Sequence, residues 1–335
     1  MKKVLIITKS DDNPCIKNVS EAIIRKGGMP IRFNTDTYPI SSAINIEFLN
    51  NRWNIELITE SGSYNLSDIE SLWYRRLALG ANLGSVLEDK FRVPSVEESR
   101  RTFFGLLSSL DVFQLDSYWT VKQAGCKQLQ LKVAAQLGLE IPETLITNNP
   151  ASVPSFFHAL NGNVITKMQA SFAIYENGIE NVVFTNPISE KDIDELDGLQ
   201  YCPMTFQRNI EKKLELRITI VGDKVFTASI NSKDNNKAKN DWRKQGHELI
   251  NSWNEYQLPA DIEKKLLQLM DYFQLNYGAI DMIVTNDDRY IFLEVNPSGE
   301  FFWLELNPGF PISEAIADSF INNNIKRRGF NALTN

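Results

Sequence analysis

The stretch GAIDMIVTNDDRYIFLEVNPSG, residues 278–299, decides how this chain is read. Two apolar runs flank Asn286-Asp287-Asp288-Arg289, the pattern of a β-hairpin. A two-residue turn at Asp287-Asp288 sets Asp281 opposite Glu294 on the facing strand. Glu294 and Asn296 are two residues apart, so the period of a strand puts them on one face. Three oxygen-bearing side chains then converge, a donor set that suits Mg²⁺ and suits zinc poorly. The alternative is a pair of surface acids near a turn. Against it, Glu294 sits within Phe292-Leu293-Glu294-Val295, where an unpartnered carboxylate is expensive to bury.

Outside this hairpin, 335 residues with 43% hydrophobic and 23% charged content describe a globular chain of two domains or one lobed domain. Thirty-five basic against 42 acidic residues give a net charge of −7. That balance removes the electrostatic reason to expect nucleic acid, and a basic ligand or peptide suits it better. Only two histidines occur, His158 and His247, so chemistry must rest on carboxylates, Lys and Arg. Cys15, Cys126 and Cys202 show no metal or disulfide spacing. The run Val4–Ile7 is too short for a secretory segment, and no later run spans a bilayer. The expected setting is cytoplasmic, with no membrane contact.

The chain opens as a βαβ unit: a buried strand over Val4–Thr8, an amphipathic helix ending at Gly27-Gly28, and a strand over Ile31–Asn34. No GxGxxG follows the first strand, so this is not a dinucleotide fingerprint. A hairpin is expected around Asn50-Asn51 and a strand over Ser71–Arg76. Helices are expected over Glu97–Leu110 and over Lys127–Leu137, the second closed by Gly138. Short strands follow: 163–168, 172–174, 182–184, 204–209, and 214–230 with a turn at Gly222-Asp223. Ser189 opens a capping box ahead of an acidic helix over 190–197, and Pro259 opens a helix over Ala260–Phe273.

A Lys in Ile165-Thr166-Lys167-Met168, the segment Phe206–Ile210, an Arg in Glu215-Leu216-Arg217 and the final Asp…Glu-x-Asn together resemble the ATP-grasp ligases in order and spacing. WYRR at 73–76, KQLQL at 127–131, CPMTFQ at 202–207, LELRITIVG at 214–222 and EVNPSGEFFWLE at 294–305 narrow the resemblance to the microviridin-type graspetide macrocyclases, over nearly the whole chain. It implies α/β and α+β lobes: an ATP-grasp fold behind an N-terminal Rossmann-like pre-ATP-grasp domain. The expected divisions are residues 1–115, 116–205 and 206–325, with a polar tail over 326–335. It implies ATP and Mg²⁺ as cofactors. Its reaction joins a side-chain carboxylate of a precursor peptide, activated by phosphorylation, to a Lys amine or a Ser/Thr hydroxyl of the same peptide. Ser298, where some ester-forming relatives carry a larger residue, tilts the reading slightly toward the ω-amide.

Under this resemblance Lys127 and Lys167 contact ATP phosphates, though either is otherwise an ordinary surface or strand-end lysine. Gln207, Arg208, Asn209 and Ile210 form the hinge whose backbone meets adenine. Arg217 stabilises the transferring phosphoryl group, with Arg243 as a second arginine whose alternative is a salt bridge to Asp241 or Glu248. Asp281, Glu294 and Asn296 hold the metal, and Asn231 adds a polar contact near it. The chain departs from many ATP-grasp proteins after Lys167, where no glycine occurs before Gly178, so phosphate cover falls to Ser171 and backbone amides.

The resemblance also implies a precursor with a helical leader and an acidic core. Asp192, Asp194 and Glu195 on the acidic helix are placed against a leader arginine, with a solvated charged face as the alternative. Arg75 and Arg76 orient an acidic core side chain or pair with nearby acids. Phe301, Phe302 and Trp303 line a peptide channel or belong to the core. A homodimer is expected. Two other functions stay open: a ligase of free amino acids or peptides, and a non-catalytic nucleotide- or peptide-binding module.

Overall fold

In a computed structural model, β1 (Lys3–Thr8) carries Val4 to Ile7 with no exposed surface. A run apolar on both faces is what a strand covered on both sides needs. The structure describes residues 1–169, 173–176, 179–182, 185–231, 250–322 and 327. After α1 (Cys15–Arg25), β2 (Met29–Asn34) returns parallel to β1, the expected βαβ unit. The hairpin of β3 (Ala43–Leu49) and β4 (Arg52–Thr59) closes on Asn50 and Asn51, both at positive φ, as a tight hairpin turn requires. β5 (Gly62–Asn65) extends it. β6 (Ser71–Tyr74), α2 (Asp89–Ser109) and β7 (Phe113–Gln114) complete a parallel sheet ordered β2-β1-β6-β7. α2 starts at Asp89, ahead of the expected Glu97, because it runs through Pro94 near its start and forgoes one backbone bond there.

The middle of the chain holds α3 (Tyr118–Ala124), α4 (Lys127–Gln136), β8 (Thr144–Thr147), α5 (Val153–Ala159) and β9 (Val164–Lys167). β10 (Ala173–Glu176) and β11 (Ile179–Val182) pair with each other, so strands expected over 172–174 and 182–184 are displaced toward one another. β12 (Asn186–Pro187), α6 (Glu190–Asp194) and β13 (Met204–Arg208) follow, and the sheet order is β12-β9-β13-β8. The acidic helix expected over 190–197 is only α6: it stops at Asp194, and a separate 3₁₀ turn takes up Asp197–Tyr201. The capping box is present, with Asp192 accepting from both the N–H and the hydroxyl of Ser189 at 2.7 Å.

β14 (Lys212–Val221) and β15 (Lys224–Ile230) turn at Gly222, followed by β16 (Asn254–Glu255), α7 (Ala260–Phe273), β17 (Tyr277–Thr285) and β18 (Tyr290–Asn296). They form an antiparallel sheet ordered β16-β15-β14-β17-β18. Asp281 does face Glu294, but not by the expected turn. Asp288 takes positive φ and Val284 pairs with Tyr290, one position off the two-residue register. A bulge between Met282–Phe292 and Asp281–Glu294 takes up one extra residue and restores it.

α8 (Phe302–Leu306) and α9 (Ile312–Asn322) return the chain to its beginning. Ile316 and Phe320 pack in one core with Val4, Ile16, Val19 and Trp73, each fully buried apolar side chain contributing about 2 kcal/mol. Phe301 and Trp303 join that core. α7 covers the other face of the large sheet with Leu266, Leu269, Met270 and Phe273. Among the described residues no helix is long and apolar enough to cross a membrane.

Candidate active site

A cavity of about 490 Å³ opens between the β8-β9-β13 sheet and the β14-β17-β18 sheet. One end is apolar, walled by Pro142, Ile165, Met282 and Leu293. Its edge is the chain at 207–210, where the strand β13 runs out. The N–H groups of Arg208 and Asn209 donate to Glu143 and Asn163 carbonyls at 2.9 and 2.8 Å, so Ile210 is the next backbone donor along this edge. Gln207 is buried and its amide donates to Thr144 Oγ1 at 2.9 Å. Arg208 is held in a two-bond pairing with Glu143, at 2.7 Å each.

The other end is charged, and every acid there has a cation. Asp281 and Glu294 face one another across the ladder. Arg217, beside Asp281 in the register, donates to its Oδ1 at 2.9 Å, and Lys127, in the first turn of α4, to Glu294 Oε2 at 2.7 Å. The two cations offset the like charges that face one another across the ladder. Burial opposes the Arg217 charge, but Asp281, Tyr277 and Glu294 outweigh it and keep the group protonated. Its Nη2 donates to the Glu300 carbonyl at 2.9 Å, and its guanidinium lies over the Trp303 ring. The Nε meets no acceptor among the described residues.

The loop after β18 is held by contacts the sequence did not disclose. Gly299 is packed so closely that a Cβ there would lie 2.4 Å from Ala279 Cβ and 2.8 Å from Arg217 Nη2. Tyr277, its phenol pushed well up by burial and so kept as a donor, bonds the Gly299 carbonyl at 2.6 Å. Gln130 is fully buried in α4; it donates to the Val295 carbonyl at 2.8 Å and accepts from the Val295 N–H at 3.0 Å. It pairs with β18 as another strand would, and so sets Lys127 against Glu294.

Of the expected residues, Arg76, Lys167, Gln207, Arg208, Asn209, Ile210, Arg217, Asp281, Glu294 and Asn296 line this cavity, as do Ser298 and Trp303. Lys127 joins through Glu294. Arg75 lies behind the wall, 3% exposed and paired with Asp12 at 3.1 Å, and the aromatic run of 301–303 lies mainly in the core. Asp192, Asp194 and Glu195 are on the far lobe, outside the cavity. Ser171 and Arg243 lie outside the described residues, and Asn231 is exposed at the end of β15. Sequence reasoning missed Lys212 and Glu215, which pair at 2.7 Å on the cavity wall, as well as Glu300, Asp12 and Gln130. A buried amide in KQLQL and the i, i+3 charge pair were the signals available.

The donor set fits a hard divalent cation: two carboxylates from neighbouring strands and the Asn296 amide oxygen, which accepts from the Ser298 N–H at 3.0 Å. An apolar slot edged by main chain, leading to cations and an oxygen-lined end, is the arrangement of an ATP-grasp site. The pre-ATP-grasp family of MvdD matches residues 3–122, and the RimK-like ATP-grasp domain family matches residues 124–320. A solved structure of a RiPP-associated ATP-grasp ligase from Chryseobacterium gregarium, in complex with ADP and a leader and core peptide, is 43% identical. It covers 98% of this chain and 99% of its own, with a TM-score of 0.91. Macrocyclase MdnC from Microcystis aeruginosa, bound with precursor peptide MdnA, is 46% identical over 96% of this chain and 99% of that one, with a TM-score of 0.87. Macrocyclase MdnB from the same organism is 33% identical with the same coverage and a TM-score of 0.81. A comparison with curated proteins finds no match. The chain belongs to the ATP-grasp ligases, within the family of the microviridin-type graspetide macrocyclases.

Proposed function

We propose that the protein is an ATP- and Mg²⁺-dependent macrocyclase of a ribosomal precursor peptide. The observation that carries the reading is the pairing of Asp281 with Glu294 across one ladder, with Arg217 bonded to the first and Lys127 to the second, at the polar end of a slot suited to adenine. The peptide complexes of the related ligase and of MdnC support the substrate class.

Adenine lies in the apolar slot against the backbone at Ile210, and Lys167 and Lys127 meet the phosphates. Asp281, Glu294 and Asn296 would hold Mg²⁺, which would supply positive charge against the polyphosphate. A peptide carboxylate attacks the γ-phosphorus and displaces ADP. Arg217, preorganised and unable to lose its proton, stabilises the charge that moves to the transferring group. A nucleophile of the same peptide then attacks the acyl carbon, loses its proton and expels phosphate. Arg243 and Ser171 are assigned to the phosphate end, and Asp192, Asp194 and Glu195 to a helical leader.

The bond formed is assigned as an ω-amide with Lys, on Ser298 at the cavity wall, and the ω-ester with Ser or Thr is the other outcome. The enzyme acts as a homodimer, a reading supported by Phe48 and Trp53, which pack against each other at a tilt and stay exposed at the end of the β3–β4 hairpin. Incubation with ATP, Mg²⁺ and the cognate precursor is expected to remove one water mass per ring. No mass loss with any leader-bearing acidic precursor refutes the assignment. Mild base then reopens an ester ring and leaves an amide ring closed.

A further inference from the structure

Arg75 and Arg76 leave the end of β6 side by side, and the structure separates what they do. The Asp12 carboxylate, fully buried, accepts from Arg75 Nε at 3.1 Å and forms an ion pair with Arg76 Nε at 3.2 Å, so one carboxylate serves two guanidinium groups. Arg75 is itself buried, and its Nη1 lies 3.5 Å from the Ser298 and Gly299 carbonyls, where it braces the loop after β18. Arg76 faces the cavity, and its Nη2 donates to Glu300 Oε1 at 2.5 Å.

Two cations against Asp12 leave one positive charge at the cavity wall, and a half-buried cation without a counter-ion is unfavourable. Glu300 supplies the counter-ion. Unlike the Arg75–Asp12 pair behind it, this one is open to water: the Arg76 and Glu300 side chains are 32% and 38% exposed. A pair so exposed contributes little, so an incoming carboxylate can displace it. The guanidinium fork then meets that carboxylate with the geometry Arg favours. The displaced residue is the one whose carbonyl Arg217 holds, so the new carboxylate arrives one residue's breadth from the arginine assigned to phosphoryl transfer.

We propose that Arg76 is the docking point for the acidic peptide side chain that is to be activated, and that Glu300 is an internal stand-in which yields to it. This rests on the peptide-ligase reading above. It makes Arg76 a selector for carboxylate substrates and Glu300 a competitor of the substrate.

The test uses the intact enzyme with its cognate precursor. Glu300→Gln removes the competing charge and is expected to lower KM for the precursor about threefold, with KM for ATP unchanged. Arg76→Gln is expected to raise KM for the precursor about tenfold, and Arg76→Lys, which keeps the charge without the fork, to raise it less. Calorimetry without ATP supplies a second readout. Arg76→Gln, or Arg76→Lys should the first variant fold poorly, weakens the natural precursor but not a precursor whose acidic core residues are Gln. An unchanged or raised KM in Glu300→Gln overturns the proposal, as does equal weakening of the acidic and amide peptides. If the wild-type enzyme releases no water from the precursor, the ligase reading fails, and the calorimetric comparison still decides whether Arg76 receives the carboxylate.

Discussion

Two groups of carboxylates in this chain look alike in one dimension and differ in three. Asp281 and Glu294 project from two paired strands, face one another, and are each bonded to a cation from another element. Asp192 and Asp194 lie at the exposed surface of a five-residue helix, and Glu195 is exposed just past its end. One of them is spent on the helix itself: Asp192 closes the capping box, which holds its carboxyl below the ordinary carboxylate range through the Ser189 hydroxyl and N–H. Ionised oxygens inside a strand ladder are expensive unless something compensates them, so their presence demands a partner. Ionised oxygens on a short helix at the surface cost nothing and demand none.

The sharpest way to break this contrast is to neutralise one acid of the first group. Glu294→Gln keeps the shape and removes the charge that faces Asp281. ADP release in the presence of precursor is expected to fall by about a hundredfold or more. The thermal midpoint should stay close to wild type, because Lys127, left without Glu294, is partly exposed and can be hydrated. A loss of less than about tenfold would put the metal site elsewhere.

Next in size is the backing of that group. Gly299→Ala forces a Cβ into Ala279 and against the Arg217 guanidinium. Overpacking of this kind costs about 1–3 kcal/mol, a fall of several degrees in thermal midpoint for a domain of moderate size. The same shift moves Arg217 off Asp281, so turnover should drop along with stability. A variant with the wild-type midpoint and turnover would mean that the loop yields freely, and the first group would lose its claim to preorganisation.

The same contrast explains what could be read in the sequence. Asp281 and Glu294 were legible because alternation and turn chemistry are local, and their pairing survived an incorrect turn only because the bulge near Leu293 offsets the longer loop. The opening βαβ unit was legible for the same reason, being carried by a fully apolar run and two closing glycines. Glu300, Asp12 and Gln130 were not: each matters through a partner more than 60 residues away, as Asp12 with Arg75 and Gln130 with Val295 show. α9 escaped because its apolar face is covered by α1, from the opposite end of the chain. The acidic helix was over-read, since it stops at Asp194 and a separate 3₁₀ turn begins at Asp197.

A smaller effect tests the second group. Asp194→Lys leaves the capping box intact, which Asp192→Lys would not, and so isolates charge from helix stability. Calorimetry with the isolated leader peptide is expected to show affinity lowered by a few fold, the scale of an exposed charge at an interface rim. Unchanged affinity assigns these acids to a solvated face and makes the contrast complete.

The smallest effect concerns a third set of carboxylates, intermediate between the two. Glu314 on α9 accepts from Arg25 of α1 at 2.6 Å and from Lys26 at 2.9 Å, so it ties the chain's end to its first helix at the surface. The hydrogen bonds from Arg25 and then Lys26 lower its pKa below the ordinary 4.5. A depressed carboxyl pKa contributes stability that is complete above the unfolded value and drains away as pH falls through the folded one. The pairs are exposed, so Glu314→Gln at pH 7 should lower the thermal midpoint by only about a degree or two. That difference should vanish below the folded pKa, under pH 4.5, and shrink in high salt at neutral pH as the charges are screened. A difference that persisted at low pH would come from packing of α9 on α1, where Phe320 and Ile316 already join the two ends of the chain in one core.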